Sequence, residues 1–479
     1  GQGMPTGITE IDAASQGLAV SGNSSRSVLT SILGRAFYSY KNRYLLTATI
    51  RRDGSSKFGS NYRYGNFPSV SVGWNIAEED FVKNSVSWLD QLKLRGGYGV
   101  LGNQEIDNYQ YVSVVTTGIN YPDGKSGLIQ GAFPKTFANP DIKWEETAMT
   151  NVGIDFMALR NRLTLTAYWY VKNTKDILLN VPIPISTGGA NDPIRNAGKI
   201  RNQGFEFNLG WNESLNKDLS YGVSFLGTYN KNEVVEMGAE SQVITGGTIH
   251  GGTYTSRTLA GYPIGGFWLI PTDGYFNSTE EVQAHQKDGV LIQPSAEPGD
   301  IRFKDTNNDG TINDEDRVYC GSPFPKFTYS INGNITYKNV DFSIGFQGVT
   351  GNKIYNATKL ELTDVTRGTN YLASTLDYWT PENQNASSPR LIWTDPNRNA
   401  RSESDRYLES GSYFRLRNLQ VSYTLPTVWF HGFVQKARVY VNAENLFTIS
   451  SYSGYTPDVN SSDVYSRGFD EFIYPSNRT

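Results

Sequence analysis

Cysteine, histidine and long apolar runs are scarce in this 479-residue chain. Its single cysteine, Cys320, excludes an intrachain disulfide, so strand pairing and packing must supply the stability. The three histidines, His250, His285 and His431, are too scattered to predict a His-rich metal site or a Ser-His-Asp constellation. No run of 18 apolar residues occurs, which excludes a membrane-spanning helix. A phosphate-cradling glycine motif is also absent, and we predict no catalytic residues and no enzyme.

Excess positive charge is missing as well. The chain has 43 Lys and Arg against 47 Asp and Glu, a formal charge of -4 and a pI near 5.6. A nucleic-acid partner is therefore not expected, because phosphates call for a basic surface. What is abundant is aromatic residues, at 13%, and glycine, at 48 residues, although only 38% of the chain is hydrophobic. This mixture suits strands that are exposed on a face and joined by many turns.

Stretches of about ten residues alternate between apolar and polar side chains, the period that places them on opposite faces of a strand. In "RLTLTAYWYV" (162–171), leucine, alanine, tryptophan and valine share one face, and threonine and tyrosine share the other. "GFEFNLGW" (204–211) and "VDFSIGFQG" (340–348) show the same pattern. Similar segments are predicted at 30–40, 43–53, 66–76, 91–101, 148–157, 218–230, 326–337, 412–425 and 436–447.

The connections between these segments are of two kinds. Tight polar ones, which predict hairpins, lie at 40–44, 158–163, 212–219 and 337–340. Long ones, rich in Gly, Pro, Asn and Asp, lie at 103–145, 172–199, 231–325 and 353–410. Short turns at one end and long loops at the other are typical of an all-β, transmembrane antiparallel barrel of the outer membrane. A soluble all-β fold is the alternative, but the segments are long for a sandwich and lack the repeat of a propeller or solenoid.

Several blocks resemble the SusC-like (SusC/RagA) branch of the TonB-dependent outer-membrane transporters. The block at 43–106 is similar to the family's central barrel signature over its whole length. The others follow in the family's order: 139–156, 172–209, "GYPIGGFW" (261–268), 299–356, "YFRLRNLQVSYTLP" (413–426) and 437–459. Any one block is ordinary strand and turn chemistry, so the resemblance depends on their succession.

The resemblance implies a 22-stranded barrel in the bacterial outer membrane, with long extracellular loops, that imports an oligosaccharide or a peptide. It also implies a SusD-like surface lipoprotein that closes over the barrel, an N-terminal plug, and a segment that contacts TonB. The sequence contains about thirteen strand candidates and no plug, and it stops at "YPSNRT". We therefore expect residues 1–479 to be the C-terminal portion of the barrel, with the plug domain and the final strand outside this chain. A barrel that serves as a structural subunit of an outer-membrane assembly or secretion complex is the alternative function.

One further motif predicts a bound cation. "KDTNNDGTINDEDR" (304–317) follows the EF-hand pattern of oxygen ligands at alternate positions around a turn-forming glycine, with aspartate instead of glutamate at the twelfth position. The candidate Ca²⁺ ligands are Asp305, Asn307, Asp309, Thr311, Asn313 and Asp316. Prolines and glycines on both flanks exclude the helix pair of a calcium sensor, so the pattern predicts a structural calcium site in an external loop. A metal-free turn rich in Asn and Asp remains the alternative.

Overall fold

The computed structural model describes residues 24–122, 124, 127–180, 193–238, 243–249, 253–431, 433–459, 461 and 463–474. Of the residues named above, His250 lies outside these ranges. In the described parts of the chain, no helix combines the length and the apolar character needed to cross a bilayer.

Twelve long strands form one antiparallel sheet in which every strand pairs with its neighbours in chain order. All twelve segments predicted from the alternation are present, although several run two to six residues further than predicted. The strands are β1 Leu29–Tyr40, β2 Tyr44–Ser55, β3 Tyr64–Asn75, β4 Leu89–Asn103, β5 Glu145–Ala158, β6 Leu163–Lys175, β7 Lys199–Ser214, β8 Leu219–Glu236, β9 Phe327–Tyr337, β10 Val340–Thr350, β11 Tyr413–Leu425 and β12 Ala437–Ser450.

The connections alternate strictly between the two ends of the sheet. Four predicted hairpins join β1 to β2, β5 to β6, β7 to β8 and β9 to β10 at one end. At the opposite end, long excursions leave β4, β6, β8 and β10 before the chain returns to the sheet. This arrangement is the one an outer-membrane barrel requires, so the end with the excursions is the extracellular end.

The excursions are folded. They contain short strands at Val114–Pro122, Leu128–Thr136, Leu178–Asn180, Ile194–Asn196, Ile244–Ile249, Thr253–Thr258, Gly266–Leu269, Thr272–Tyr275, Gln286–Lys287, Val290–Leu291, Ile301–Phe303, Val318–Gly321, Lys353–Asn356 and Leu408–Ser410. One more short strand, Phe469–Asp470, follows β12. The α-helices of the described residues are short: α1 Asp80–Lys83, which lies in the β3–β4 connection at the hairpin end, α2 Thr279–Ala284 and α3 Ala357–Thr363. Short 3-10 turns lie at Ile76–Glu78, Asp314–Asp316, Val365–Arg367, Ala373–Leu376, Asp405–Tyr407, Thr427–Phe430 and Val464–Ser466.

The buried members of the apolar cores lie outside the large sheet, except that Phe67 of β3 belongs to one of them. The largest core joins Phe267 and Leu269 of the β8–β9 excursion to Tyr355 and Tyr407 of the β10–β11 excursion, and Phe469 packs against it. A second core, around Phe58, Ile142 and Trp144, joins the β2–β3 and β4–β5 connections. The long loops therefore form a packed extracellular layer above the sheet, because each excursion buries apolar residues against another.

Candidate functional site

One face of the sheet is a continuous apolar surface. Cross-strand pairing places apolar residues opposite apolar residues: Val72 lies opposite Leu46, and Phe225 lies opposite Leu209 and Ile331. Many of these side chains are strongly exposed, and we assign them to lipid: Ile32, Tyr38, Ile50, Val72, Val152, Trp169, Phe205, Val223, Ile335, Val439 and Val441. An apolar surface of this extent, left uncovered along twelve strands, is what a bilayer-facing wall requires.

Aromatic residues mark both borders of this apolar face. At the extracellular border, Phe327 of β9 pairs with Tyr229, and at the hairpin border Tyr337 lies about half exposed beside Val340. The 11-residue strand β9 is about 33 Å long. With the usual tilt of 35–45°, it rises about 25 Å, which matches the apolar band of an outer-membrane barrel with its aromatic girdles.

The opposite face of the sheet carries most of the polar side chains, although Phe37 and Leu101 also lie on it, and several of its charged groups are paired across strands. Arg95 of β4 forms an ion pair with Asp155 of β5 at 3.2 Å. The same guanidinium lies 5.2 Å from the ring centre of Tyr168, whose hydroxyl donates a hydrogen bond to Glu206. Tyr170 donates to Asn230 at 3.0 Å. This network holds charge on the face of the sheet that borders a hydrated interior. We call this face the lumen wall.

Further along the lumen wall, carboxamides line a notch of about 440 Å³. Asn332, Gln347 and Asn418 surround Gly345, where a β-carbon would lie 2.2 Å from the Asn418 side-chain oxygen. A larger residue here would displace the Asn418 amide from the notch. Arg417 donates to the Gln347 side-chain oxygen at 2.8 Å at the edge of the notch. Amides of this kind both donate and accept hydrogen bonds, so the notch can hold a neutral polar chain such as a peptide backbone or a sugar.

A second recess of about 490 Å³ lies between β1 and β5, and its lining combines small residues with large apolar side chains such as Phe37 and Leu101. Ser69, Ser71, Gly97 and Gly99 leave the backbone of β3 and β4 accessible, with Lys93 beside them. Small side chains widen the passage locally and let another polypeptide or a substrate approach the wall closely.

The predicted calcium loop lies in the β8–β9 excursion, between two short strands and without flanking helices, as predicted. Asp305 accepts hydrogen bonds from the backbone amides of Asp309 at 3.0 Å and Gly310 at 2.7 Å. Gly310 has a φ of 92°, a left-handed conformation that glycine adopts easily. Asn307 also accepts from the Asp309 amide, at 3.0 Å. The first three candidate ligands thus wrap around one turn.

The remaining candidates complete the same hydrogen-bonded ring. Asp309 accepts from the amide and hydroxyl of Thr311, both at 2.8 Å, and from the Asn313 carboxamide at 3.1 Å. Hydrogen bonds lower the pKa of Asp309 to about 2, and the one from the Asn307 side chain makes the largest contribution. The fully buried Asp316 accepts from the amides of Thr306 and Asn313.

These contacts permit a cation but do not require one. Each carboxylate oxygen that accepts one backbone hydrogen bond keeps a second lone pair, so the oxygen-rich donor set suits Ca²⁺. The ring is also complete through its own hydrogen bonds. Among the residues that the structure describes, no group of three or more His, Cys, Asp or Glu side chains is arranged to hold a metal ion. Calcium at this loop therefore stays a prediction.

A buried polar staple, which the sequence patterns did not indicate, connects two excursions. Arg390 donates to both carboxylate oxygens of the fully buried Asp300, at 2.6 and 2.9 Å. Asn399 donates to the same carboxylate at 2.8 Å and accepts from the Ile301 amide at 2.8 Å. The Gln293 and Asn397 side chains extend the network, since both donate to the backbone carbonyl of Ile301. The β8–β9 and β10–β11 excursions are thereby fixed to each other through charge-assisted bonds.

Comparison with known proteins agrees with this two-faced sheet. A family profile described as "TonB dependent receptor-like, beta-barrel" matches residues 10–446. The chain belongs to the TonB-dependent receptor family. TonB-dependent receptor P3 of Formosa agariphila is 32% identical over 94% of this chain, and TonB-dependent receptor SusC of Bacteroides thetaiotaomicron is 30% identical over 95%. The predicted SusC-like branch, the outer-membrane location and the barrel fold of this receptor are confirmed. Its family consists of transporters and not enzymes.

Solved structures give the same result. The RagAB peptide transporter matches 94% of this receptor chain with a TM-score of 0.76 and 25% identity. The RagAB peptide importer in its "open-open" state matches 97% with a TM-score of 0.77. The chain spans about half the length of these proteins, 46% and 48%, and 43–44% of the two curated relatives.

Proposed function

We propose that the protein to which this chain belongs imports a nutrient across the outer membrane as a SusC-like TonB-dependent transporter. The observation that carries the proposal is the division of one twelve-stranded sheet into an apolar face of bilayer height and a polar face with paired charges. A sheet built in this way lines a water-filled passage. Among the described residues, no strand pairs with the outer edge of β1 or of β12, and a barrel in lipid requires both edges to be paired.

The cargo is an oligosaccharide or a peptide. The amide-lined notch around Gly345 supports both, since sugars and peptide backbones offer neutral donors and acceptors. The structural neighbours are described as peptide transporters and importers, and one relative is SusC. A SusD-like lipoprotein would close the extracellular end, and TonB would engage a segment outside residues 1–479 to move a plug.

The test uses the full-length gene in its native host. A deletion strain is supplied with defined oligosaccharides or peptides, and uptake is compared with and without the restored gene. We expect one class of substrate to enter only when the gene is present, and an uncoupler of the proton gradient to stop that entry. Unchanged uptake of every substrate, together with loss of an outer-membrane complex in the deletion strain, would favour the structural-subunit alternative.

We also propose that Ca²⁺ binds the loop at 305–316 and stabilises the extracellular layer. The support is the ring of oxygen atoms from Asp305, Asn307 and Asp309 around Gly310. Terbium luminescence and calorimetry on the purified full-length protein measure binding, with Asp305→Asn as the variant and the exposed Asp288→Asn as its control. Binding that is lost only in Asp305→Asn supports the site. Equal binding in both variants places the cation elsewhere.

A further inference from the structure

Four basic side chains lie on the bilayer-facing side of the sheet, just beyond the extracellular end of its apolar surface. All four are exposed: Lys175 of β6, Lys199 and Arg201 of β7, and Lys231 of β8. We call these four residues the basic cluster. Cations on the lumen wall face the passage, whereas the basic cluster faces away from it, so transport of a substrate does not explain these charges.

The alternation along each strand assigns the cluster to this side. Arg201 lies four residues before Phe205, and Lys231 lies two residues after Tyr229. Each cation therefore shares a side of its strand with an aromatic residue of the apolar face. Phe205 and Tyr229 pair directly across the two strands. With about 3.3 Å per residue and a tilt of 35–45°, Lys231 lies roughly 5 Å and Arg201 roughly 10 Å above this pair, at the height of the lipid headgroups.

Strand register brings the four cations together. Lys199 lies directly opposite Lys175, and Arg201 lies opposite Glu233, the second residue after Lys231. Cβ atoms of directly opposed residues are about 4.5–5.5 Å apart and those of diagonal neighbours about 7–8 Å, which is within the reach of Lys and Arg side chains. Like charges directly opposite each other destabilise a strand pair. An anion between Lys175 and Lys199 would remove that repulsion.

Carboxylates neutralise only part of the cluster. Each lysine pairs with one glutamate: Lys175 with Glu146 at 2.9 Å, Lys231 with Glu233 at 2.7 Å, and Lys199 with Glu236. Every one of these lysine side chains is 53% exposed, and exposed ion pairs are weak enough for a ligand to replace the glutamate. Arg201 donates to a neutral group, the side-chain oxygen of Asn173, at 2.9 Å, and no carboxylate among the described residues pairs with it. Four cations therefore face three carboxylates.

A phosphate group carried by a lipid fits this arrangement. The planar fork of Arg201 can bind two phosphate oxygens at once, and the lysines add compact positive charges around it. Basic residues at the edge of a bilayer-facing surface attract anionic lipid headgroups. The apolar face continues directly below the cluster through the exposed Phe205 and Tyr229, so the acyl chains of the same lipid have a surface to lie along.

We propose that the basic cluster binds the phosphate of a phosphorylated outer-leaflet lipid, with Arg201 as its central ligand. The acyl chains of that lipid then cover the neighbouring part of the apolar face. The proposal depends on the outer-membrane location of the receptor and on the assignment of the two faces of the sheet. It is independent of the cargo that the receptor imports.

The experiment is native mass spectrometry of the purified full-length receptor in detergent with lipid A, the phosphorylated glycolipid extracted from the outer membrane of the native host. The variants are Arg201→Gln and the double change Lys199→Gln with Arg201→Gln. The control is Lys172→Gln, which removes an exposed cation of β6 that lies on the lumen wall opposite Asn202. We expect lipid A to bind about fivefold more weakly to the single variant and about 30-fold more weakly to the double variant, with no change in the control.

The role of the phosphate is tested with chemically dephosphorylated lipid A, which should bind the wild-type receptor as weakly as intact lipid A binds the double variant. Equal binding of the intact and dephosphorylated forms, or unchanged binding in both variants, would overturn the proposal. Displacement of lipid A by inorganic phosphate at the same concentration would also overturn it, because the cluster would then be a site for a free anion.

Two further measurements separate this site from folding and from transport. Heat-modified gel mobility verifies barrel assembly in every variant, and Arg201→Lys, which keeps the charge, should bind lipid A more tightly than Arg201→Gln. Nutrient uptake should stay unchanged in the variants. Loss of lipid binding with normal uptake therefore supports the lipid site, whereas absence of uptake by the wild-type receptor would overturn the proposed function alone.

Discussion

Placing arginine on either side of strand β9 tests which face of the sheet meets lipid. Ile331 and Asn332 are adjacent residues near the middle of the strand, so they lie at nearly the same depth between the aromatic borders at Phe327 and Tyr337. Ile331 lies between Phe225 and Phe346 on the apolar face, whereas Asn332 lies between Ser224 and Gly345 on the lumen wall.

The expected effects differ because the surroundings differ. Ile331→Arg places a charge near the midplane of the bilayer, which costs about 2–4 kcal/mol in transmembrane barrels, whereas Asn332→Arg keeps the charge in a hydrated space and costs less than about 1 kcal/mol. A cost of about 2–4 kcal/mol for Ile331→Arg corresponds to a roughly 30- to 900-fold change in its folding equilibrium relative to wild type. The position near midspan makes the upper part of this range the expectation.

Both variants are made in the full-length receptor and unfolded with urea in lipid vesicles, where folding is followed by gel mobility and tryptophan fluorescence. The midpoint for Ile331→Arg should fall clearly below that of wild type, and the midpoint for Asn332→Arg should stay near it. Equal midpoints, or a lower midpoint for Asn332→Arg, would refute the assignment of the two faces and with it the passage through the barrel.

Three further outcomes follow from the extracellular layer. Arg390→Met leaves the carboxylate of Asp300 buried without its counter-ion and should cost about 3–5 kcal/mol of local stability, seen as faster amide exchange in both excursions. Lys304→Met removes only an exposed ion pair and should cost less than about 1 kcal/mol. Equal amide exchange in the two variants would contradict the role of the Arg390–Asp300 pair. Burial raises the pKa of the Cys320 thiol to about 11, so thiol reagents should react slowly at pH 8 and faster as the pH approaches 11 or after denaturation. Rapid labelling of the folded protein at pH 8 would be inconsistent with this burial. The folded-state pKa of Asp309 is lowered to about 2, so its stabilisation of the loop is present above about pH 4, the unfolded-state value, and is lost as the pH falls through 2. Amide exchange at Gly310 and Thr311 should show this transition in the native protein, and Asp309→Asn should abolish it.

Much of the architecture was predictable because local chemistry encodes it. Alternation in "GFEFNLGW" places Phe205 and Leu209 on one face whatever the neighbouring strand is, since successive side chains of a strand point in opposite directions. The hairpin at 337–340 follows from a short polar turn between two such strands. The loop at 305–316 was likewise readable, because the hydrogen bonds that Asp305, Asp309 and Asp316 accept come from residues within about a dozen positions.

The charged partners on the lumen wall could not be assigned from the sequence. Alternation places Tyr168 and Glu206 on the polar faces of their strands, but only the cross-strand register brings them together. Register between neighbouring strands is set by the whole sheet and its connections, so a local pattern gives the face and not the partner.

The sequence by itself determined the strand faces, the tight turns, the absence of a disulfide and the position of the oxygen-rich loop, since each depends on residues a few positions apart. Only the tertiary structure decided that the excursions pack into a layer, that Arg390 binds Asp300 across 90 residues, and that Lys199 lies opposite Lys175. The physical reason is that burial and ion pairing depend on which segments meet in space, and segments joined by long loops carry no local periodicity that identifies their partners.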